Sequence, residues 1–168
     1  MRPLLLFLFA FLFSSCEVKI NTPGSSTKNT SAGKIRNGIK VASKGVSVEQ
    51  AFLTYEDGSL VDENNTTSVN RKLKINFVVK GWKAEDGKVA LEANEKITTD
   101  DGDIILDEKE LFSRGGLQTI SAEDAQYPRL TVVINQVNKL YDFYLVSFKV
   151  WNRGTEQSLE GEYKFHIN

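Results

Sequence analysis

The chain has 168 residues, with 21 Lys and Arg against 22 Asp and Glu, a single His and a formal net charge of −1. So even a balance excludes nucleic-acid binding by a broad positive field, and it excludes an acidic disordered tail. Hydrophobic residues at 40% and charged residues at 26% describe an ordinary folded domain, and the length is that of one.

The N-terminus reads Met1-Arg2-Pro3, then ten apolar residues from Leu4 to Phe13, then Ser14-Ser15-Cys16. One positive charge, a short apolar stretch and small residues after it have the three-part layout of a secretory signal. As a helix, ten apolar residues span about 15 Å, half the hydrocarbon thickness, so the segment does not cross a membrane. The only Cys of the chain stands where cleavage is expected. Leu12 to Cys16 resembles the lipobox of bacterial lipoproteins, with Phe13 at the place where a branched aliphatic is usual. That resemblance implies a Cys16 that is diacylglycerated, becomes the new N-terminus and is N-acylated to carry three chains. The alternative is an ordinary secreted protein with an incidental Cys16. A lone thiol cannot form a disulfide within the chain and is a liability in an oxidising compartment. Each buried methylene contributes ~0.8 kcal/mol, and more than one chain makes such an anchor stable. Loss of residues 1–15 would leave 153 residues, 20 basic and 22 acidic, for a net charge of −2.

Residues 16–33 follow Cys16 with EVKINTPGSSTKNTSAG, which is polar almost throughout. Such a stretch cannot bury enough surface to offset its ordering entropy, so a flexible tether is expected, about 20–25 Å end to end. Asn29-Thr30-Ser31 and Asn64-Asn65-Thr66-Thr67 contain Asn-x-Ser/Thr sequons. With a bacterial lipobox upstream they are read as polar loop residues.

From residue 34 to 168 the chain shows short alternating runs, with turn signals every eight to twelve residues, as an all-β sandwich does. Gly38–Ala42 and Val46–Tyr55 are predicted as the first strands, with Ala51, Leu53 and Tyr55 on one face and Phe52 on the other. Asp57-Gly58 turns the chain toward Leu60-Val61, and residues 62–67 form a polar loop. Lys72–Val79 alternates, with Leu73, Ile75, Phe77 and Val79 pointing one way. Asp86-Gly87 and Asp101-Gly102 are further tight turns, and type I′ geometry is expected at each Asp-Gly. Helical turns are expected at Asp107–Phe112 and at Ser121–Ala125, where Ser121 and Asp124 resemble a capping box. Arg129–Gln136, Phe143–Trp151 and Leu159–Ile167 close the sheets, the last with Leu159, Gly161, Tyr163, Phe165 and Ile167 inward. The fold class expected is an immunoglobulin-like antiparallel β-sandwich of about seven to nine strands. With its Thr99–Leu106 hairpin, Asp107–Phe112 turn and terminal Tyr163-Lys164-Phe165-His166-Ile167, the domain resembles lipoproteins of the Bacteroidota. That resemblance carries no active site to transfer.

No catalytic constellation is expected. His166 falls on the solvent face of the last strand, where it cannot serve a nucleophile in a cleft. Zinc draws on several His and Cys, which this chain does not have. The metal candidates are Asp100, Asp101 and Asp103, followed by Asp107, Glu108 and Glu110. Calcium takes six to eight oxygens, but this spacing is not that of an EF-hand loop, and turn formation explains Asp101-Gly102 without a metal. The aromatic rings are read first as core. If any serves recognition, the choices are Trp82 after Gly81 at a strand end, and Tyr141 and Phe143 at the hairpin after Val137-Asn138-Lys139.

The functional expectation is a non-enzymatic binding or assembly module without cofactor, held at the cell envelope by its N-terminal lipid. Its partner would be a protein or a glycan, not a nucleic acid. Glu17 after Cys16 is not the Asp of inner-membrane retention, so the outer membrane is expected, facing the periplasm because Val18 and Lys19 do not continue an acidic export run. The alternatives are a hydrolytic or carbohydrate-active enzyme using carboxylates such as Asp86 or Asp103, and a calcium-stabilised adhesin-like module.

Overall fold

A computed structural model describes residues 34–136, 139 and 141–168. The signal, Cys16, the tether and part of the Val137-Asn138-Lys139 turn lie outside the described residues. In chain order the strands are β1 (Lys34–Ile35), β2 (Lys40–Lys44), β3 (Ser47–Tyr55), β4 (Thr66–Thr67), β5 (Leu73–Lys80), β6 (Lys88–Val89), β7 (Leu91–Thr99) and β8 (Ile104–Glu108). A one-turn helix α1 (Leu111–Arg114) follows, then β9 (Ile120–Ser121), a 3₁₀ turn (Asp124–Gln126), β10 (Arg129–Val132), β11 (Tyr144–Asn152) and β12 (Ser158–Ile167).

The strands form two principal sheets, ordered β1-β3-β5-β10 and β2-β12-β11-β7-β8, with β4 added beside β12 and β6-β9 as a small separate ribbon. The long ladders are antiparallel; only the two-residue pairings β1·β3 and β4·β12 are parallel. The alternation in the sequence explains the layering. Leu73, Ile75, Phe77 and Val79 on β5 and Tyr144, Val146, Phe148 and Val150 on β11 are all buried. Phe77 of one sheet meets Phe148 of the other with ring centroids 5.2 Å apart. Burial of each such side chain contributes about 1.5–3 kcal/mol, and a ring pair of this kind adds about 1 kcal/mol. Gly161 faces Phe148 across the β11·β12 ladder, and a Cβ there would lie 2.0 Å from the Lys40 carbonyl oxygen and 2.8 Å from Phe148 Cζ. The sheet therefore has no room for a side chain at that position.

The fold class is the expected β-sandwich, with eight strands of four residues or more among the described residues. Several details differ. Only Asp86-Gly87 among the Asp-Gly turns has positive φ at both central residues, 49° and 71°, closed by reciprocal bonds between Glu85 and Lys88. At Asp57-Gly58 and Asp101-Gly102 only the Gly is left-handed. There the bonds Gly58 N to Tyr55 O and Gly102 N to Thr99 O build three-residue loops ending in a left-handed glycine. Asn37-Gly38, by contrast, has φ of 58° and 61° and is a second turn with both central residues left-handed.

The helical turn expected at Asp107–Phe112 is displaced. Asp107 and Glu108 extend β8 by pairing with Lys96 and Glu95, and α1 begins only at Leu111. Its first turn is held by Glu92 Oε1, which accepts the backbone N–H groups of Phe112 at 2.9 Å and Ser113 at 3.4 Å. The closing strand expected over Arg129–Gln136 ends as β10 at Val132, after which the Ile134 carbonyl accepts the Asn70 N–H. Asn65 is buried, not a loop-surface residue as expected. Its Nδ2 donates to the carbonyls of Asn37 and Lys164, both at 2.8 Å, while Asn37 Nδ2 donates to Asn65 Oδ1 at 2.9 Å. Asn37 Oδ1 accepts the Leu53 N–H, so this amide pair ties β3, β12 and the 62–65 loop together.

Candidate functional site

The sequence-predicted site residues fall in two places. Asp100, Asp101 and Asp103, in the turn between β7 and β8, meet Lys139, Tyr141, Asp142 and Phe143, the segment leading into β11. Asp142 N–H donates to Asp100 Oδ2 at 3.2 Å, and Asp100 N–H to the Phe143 carbonyl at 3.2 Å. Lys139 Nζ donates to Asp101 Oδ2 at 2.5 Å and lies 3.9 Å from Asp103. Tyr141 Oη donates to Asp103 Oδ2 at 3.3 Å, and its ring packs edge-on against Tyr144. The hydrogen bond and charge of Asp101 raise the Lys139 ammonium pKa, and burial is the largest of the effects raising the Tyr141 phenol. This corrects the calcium expectation. The three carboxylates turn toward three different donors, a lysine holds the centre of the charge, and no group of three or more His, Cys, Asp or Glu among the described residues is placed to hold a metal ion.

The aromatic candidates are also corrected. Trp82 is only 9% exposed and belongs to the core, with its indole N–H lacking a partner among the described residues. Phe143 is half-buried and its ring is covered by Lys164, whose Nζ stands 3.7 Å from the centroid. Tyr141 is half-buried as well. None of the three offers an open flat face. His166 is exposed, as expected, with Nδ1 2.6 Å from the Asp142 carbonyl oxygen. Asp86 is an exposed turn residue, and Asp103 is the acceptor of Tyr141, so neither carboxylate has the setting of a general acid or base.

A cleft that the sequence reading did not single out lies elsewhere. It has a volume of about 430 Å³ and is walled by Leu91 of β7, Phe112 of α1, Leu117 and Ile120 before and on β9, and Tyr127 and Pro128 leading into β10. Such a volume and such a lining fit a ligand pocket. Leu117 and Tyr127 stand at its mouth, each 49% exposed. Its charged members are Asp124 and Arg129. Asp124 is engaged locally: Ser121 Oγ donates to its Oδ2 at 2.7 Å and accepts its N–H at 3.0 Å, the cap expected from the sequence. Arg129 is exposed and its guanidinium has no hydrogen bond or ion pair among the described residues. Two signals pointed here: Leu117 is an isolated large apolar residue after Gly115-Gly116, and Tyr127-Pro128-Arg129 sets an aromatic and a cation beside a strand start.

No protein-family model matches the chain, and no curated protein matches it in sequence. Among solved structures it is similar to the C-terminal domain of wzt, at 15% identity and a TM-score of 0.50, over 79% of this chain and 80% of that one. It is also similar to part of a Bacteroides uniformis β-glucuronidase, at 16% identity and a TM-score of 0.40, where 70% of this chain covers 13% of that one. A second enzyme of that organism, β-glucuronidase 2, gives 15% identity and a TM-score of 0.43, with 75% of this chain over 15% of that one. The likeness to the wzt domain shows a shared fold, and the chain is a β-sandwich.

Proposed function

We propose that this protein is a cell-envelope lipoprotein, anchored through Cys16, that works as a non-enzymatic binding or assembly module for a protein or glycan partner. The observation that carries the binding reading is the cleft beside β10. It is walled by apolar side chains, it is open to solvent, and an exposed Tyr and an unpaired Arg stand at its rim. Tyr and Arg are enriched where binding energy concentrates. The anchor reading rests on the lone Cys at the signal boundary, and the outer membrane, periplasmic side, is the proposed location.

Two experiments test the parts separately. Labelled palmitate should enter the wild type, and Cys16→Ser should abolish labelling and release the protein from the membrane fraction; an unlabelled wild type with unchanged fractionation of the variant removes the anchor. Crosslinking in the native envelope, with a tag after Asn168, should recover a stoichiometric partner. That recovery should fall when Tyr127 and Leu117 are both replaced by Ala.

A further inference from the structure

We propose that the free edge of β10, together with the cleft at its start, takes up an extended segment of a partner protein as an added strand of the first sheet. β10 is the last strand of the order β1-β3-β5-β10. Its inner edge pairs with β5 in the register Arg129↔Asn76, Leu130↔Ile75, Thr131↔Lys74 and Val132↔Leu73. The Phe77 N–H donates to the Pro128 carbonyl at 3.2 Å, so position 128 is a bonded position of this antiparallel ladder. Alternation then turns the N–H and C=O of Leu130 and Val132 toward β5, and those of Arg129 and Thr131 toward the open side. No backbone or side-chain partner occupies the groups of Arg129 or Thr131 among the described residues, and both residues are exposed.

An unpaired edge is a template for another strand. What selects the occupant is the neighbourhood. A strand laid beside β10 places alternate residues toward the interior, level with buried Leu130 and Val132, where the cleft opens between β10 and the Leu117–Ile120 segment. The residues between them lie on the outer face beside Arg129. The fitting segment is therefore extended, carries a large apolar residue for the cleft, and has a carboxylate one position away for the uncommitted guanidinium. Backbone bonding along the edge requires a polypeptide, which decides between the two partner classes of the proposed function. This inference rests on the binding-module reading and names its partner as protein.

The test uses the full chain with Cys16→Ser, which removes the lipid and leaves the sandwich unaltered. Short random peptides displayed on a surface are selected against it. The enriched peptides should alternate an apolar with an acidic residue, and their affinity should fall about tenfold or more for Arg129→Glu and for Thr131→Pro. The proline removes only an outward N–H and is the kind of residue that edge strands tolerate. Amide exchange gives a readout that needs no variant: the Arg129 and Thr131 N–H groups should exchange rapidly in the free protein and become protected when a selected peptide binds. Failure to enrich any peptide, or peptides that bind both variants as tightly as the parent and leave those amides unprotected, overturns the proposal. A glycan bound equally by parent and variants on a sugar array overturns it too, while the binding-module reading stands. A dimer in sedimentation that Thr131→Pro dissolves puts a second copy on the edge and overturns the partner segment. Absence of peptide, glycan and co-purified partner alike overturns both readings.

Discussion

Two regions of this sandwich invite a functional reading, and they differ in how their polar groups are used. The hairpin end around Asp100, Asp101 and Asp103 is rich in charge, yet each carboxylate has its own donor in Asp142, Lys139 or Tyr141. The cleft beside β10 holds little charge, but its Arg129 and the outward backbone groups of the strand are uncommitted. A cluster whose members satisfy one another has little left to offer a ligand. A sparse region with unspent donors and apolar walls is the better binding surface, because desolvating it costs little and leaves the partner's groups matched.

The scaffold shared by both regions is the first place to break this contrast. Gly161→Val forces a side chain into the Lys40 carbonyl and Phe148, and overpacking of that kind should cost about 3 kcal/mol or more, read as a lower urea midpoint with an unchanged slope. Both regions should then fail together. Asn37→Ala removes the donor to Asn65 and strands the buried Leu53 N–H, for a loss of about 2 kcal/mol in the same measurement.

The core offers a comparison by pH. Glu95 lies in the sandwich interior, and burial alone raises its carboxyl from 4.5 to about 8. The folded protein therefore keeps a proton that the unfolded chain has released. Stability should be full below about pH 4.5, decline as pH rises toward 8 and level off above it, a change of a few kcal/mol. Glu95→Gln should flatten that part of the profile in urea unfolding at matched pH values; an unchanged slope would assign it to other groups.

The smallest stability effects should fall on the two surfaces, and they sharpen the contrast. Tyr127→Ala removes a half-exposed ring, so the melting midpoint should move little while capture of a crosslinked partner drops. Lys139→Ala opens an exposed ion pair and should leave both readouts nearly unchanged. Chelator should not lower the melting midpoint; a drop of several degrees would restore a metal to the acidic hairpin.

Alternation made much of the architecture legible. The inward set on β12 is read from period two, and Leu159, Tyr163 and Phe165 are buried accordingly. The capping pair Ser121 and Asp124 was legible because its contacts are local. Where distant groups intervene, legibility ended. Glu92 draws α1 to a later start through bonds across about a turn of chain outside its own strand. Asn65 looks like a loop asparagine until the carbonyl of Lys164, 99 positions away, takes its amide. Trp82 beside Gly81 reads as a rim aromatic, yet it is buried.

Among the candidate sites the same division holds. By itself the sequence determined the class of fold, since a two-residue period with an apolar face leaves packed sheets as the way to bury it. It also determined the exposed placement of His166, an outward position on an alternating strand. Only the tertiary structure decided which polar groups remain free. The acids of the β7–β8 turn became satisfied because the segment before β11 folds onto them. Arg129 stayed unpaired because sheet order left β10 at an edge, and sheet order is set by contacts between residues far apart in the chain.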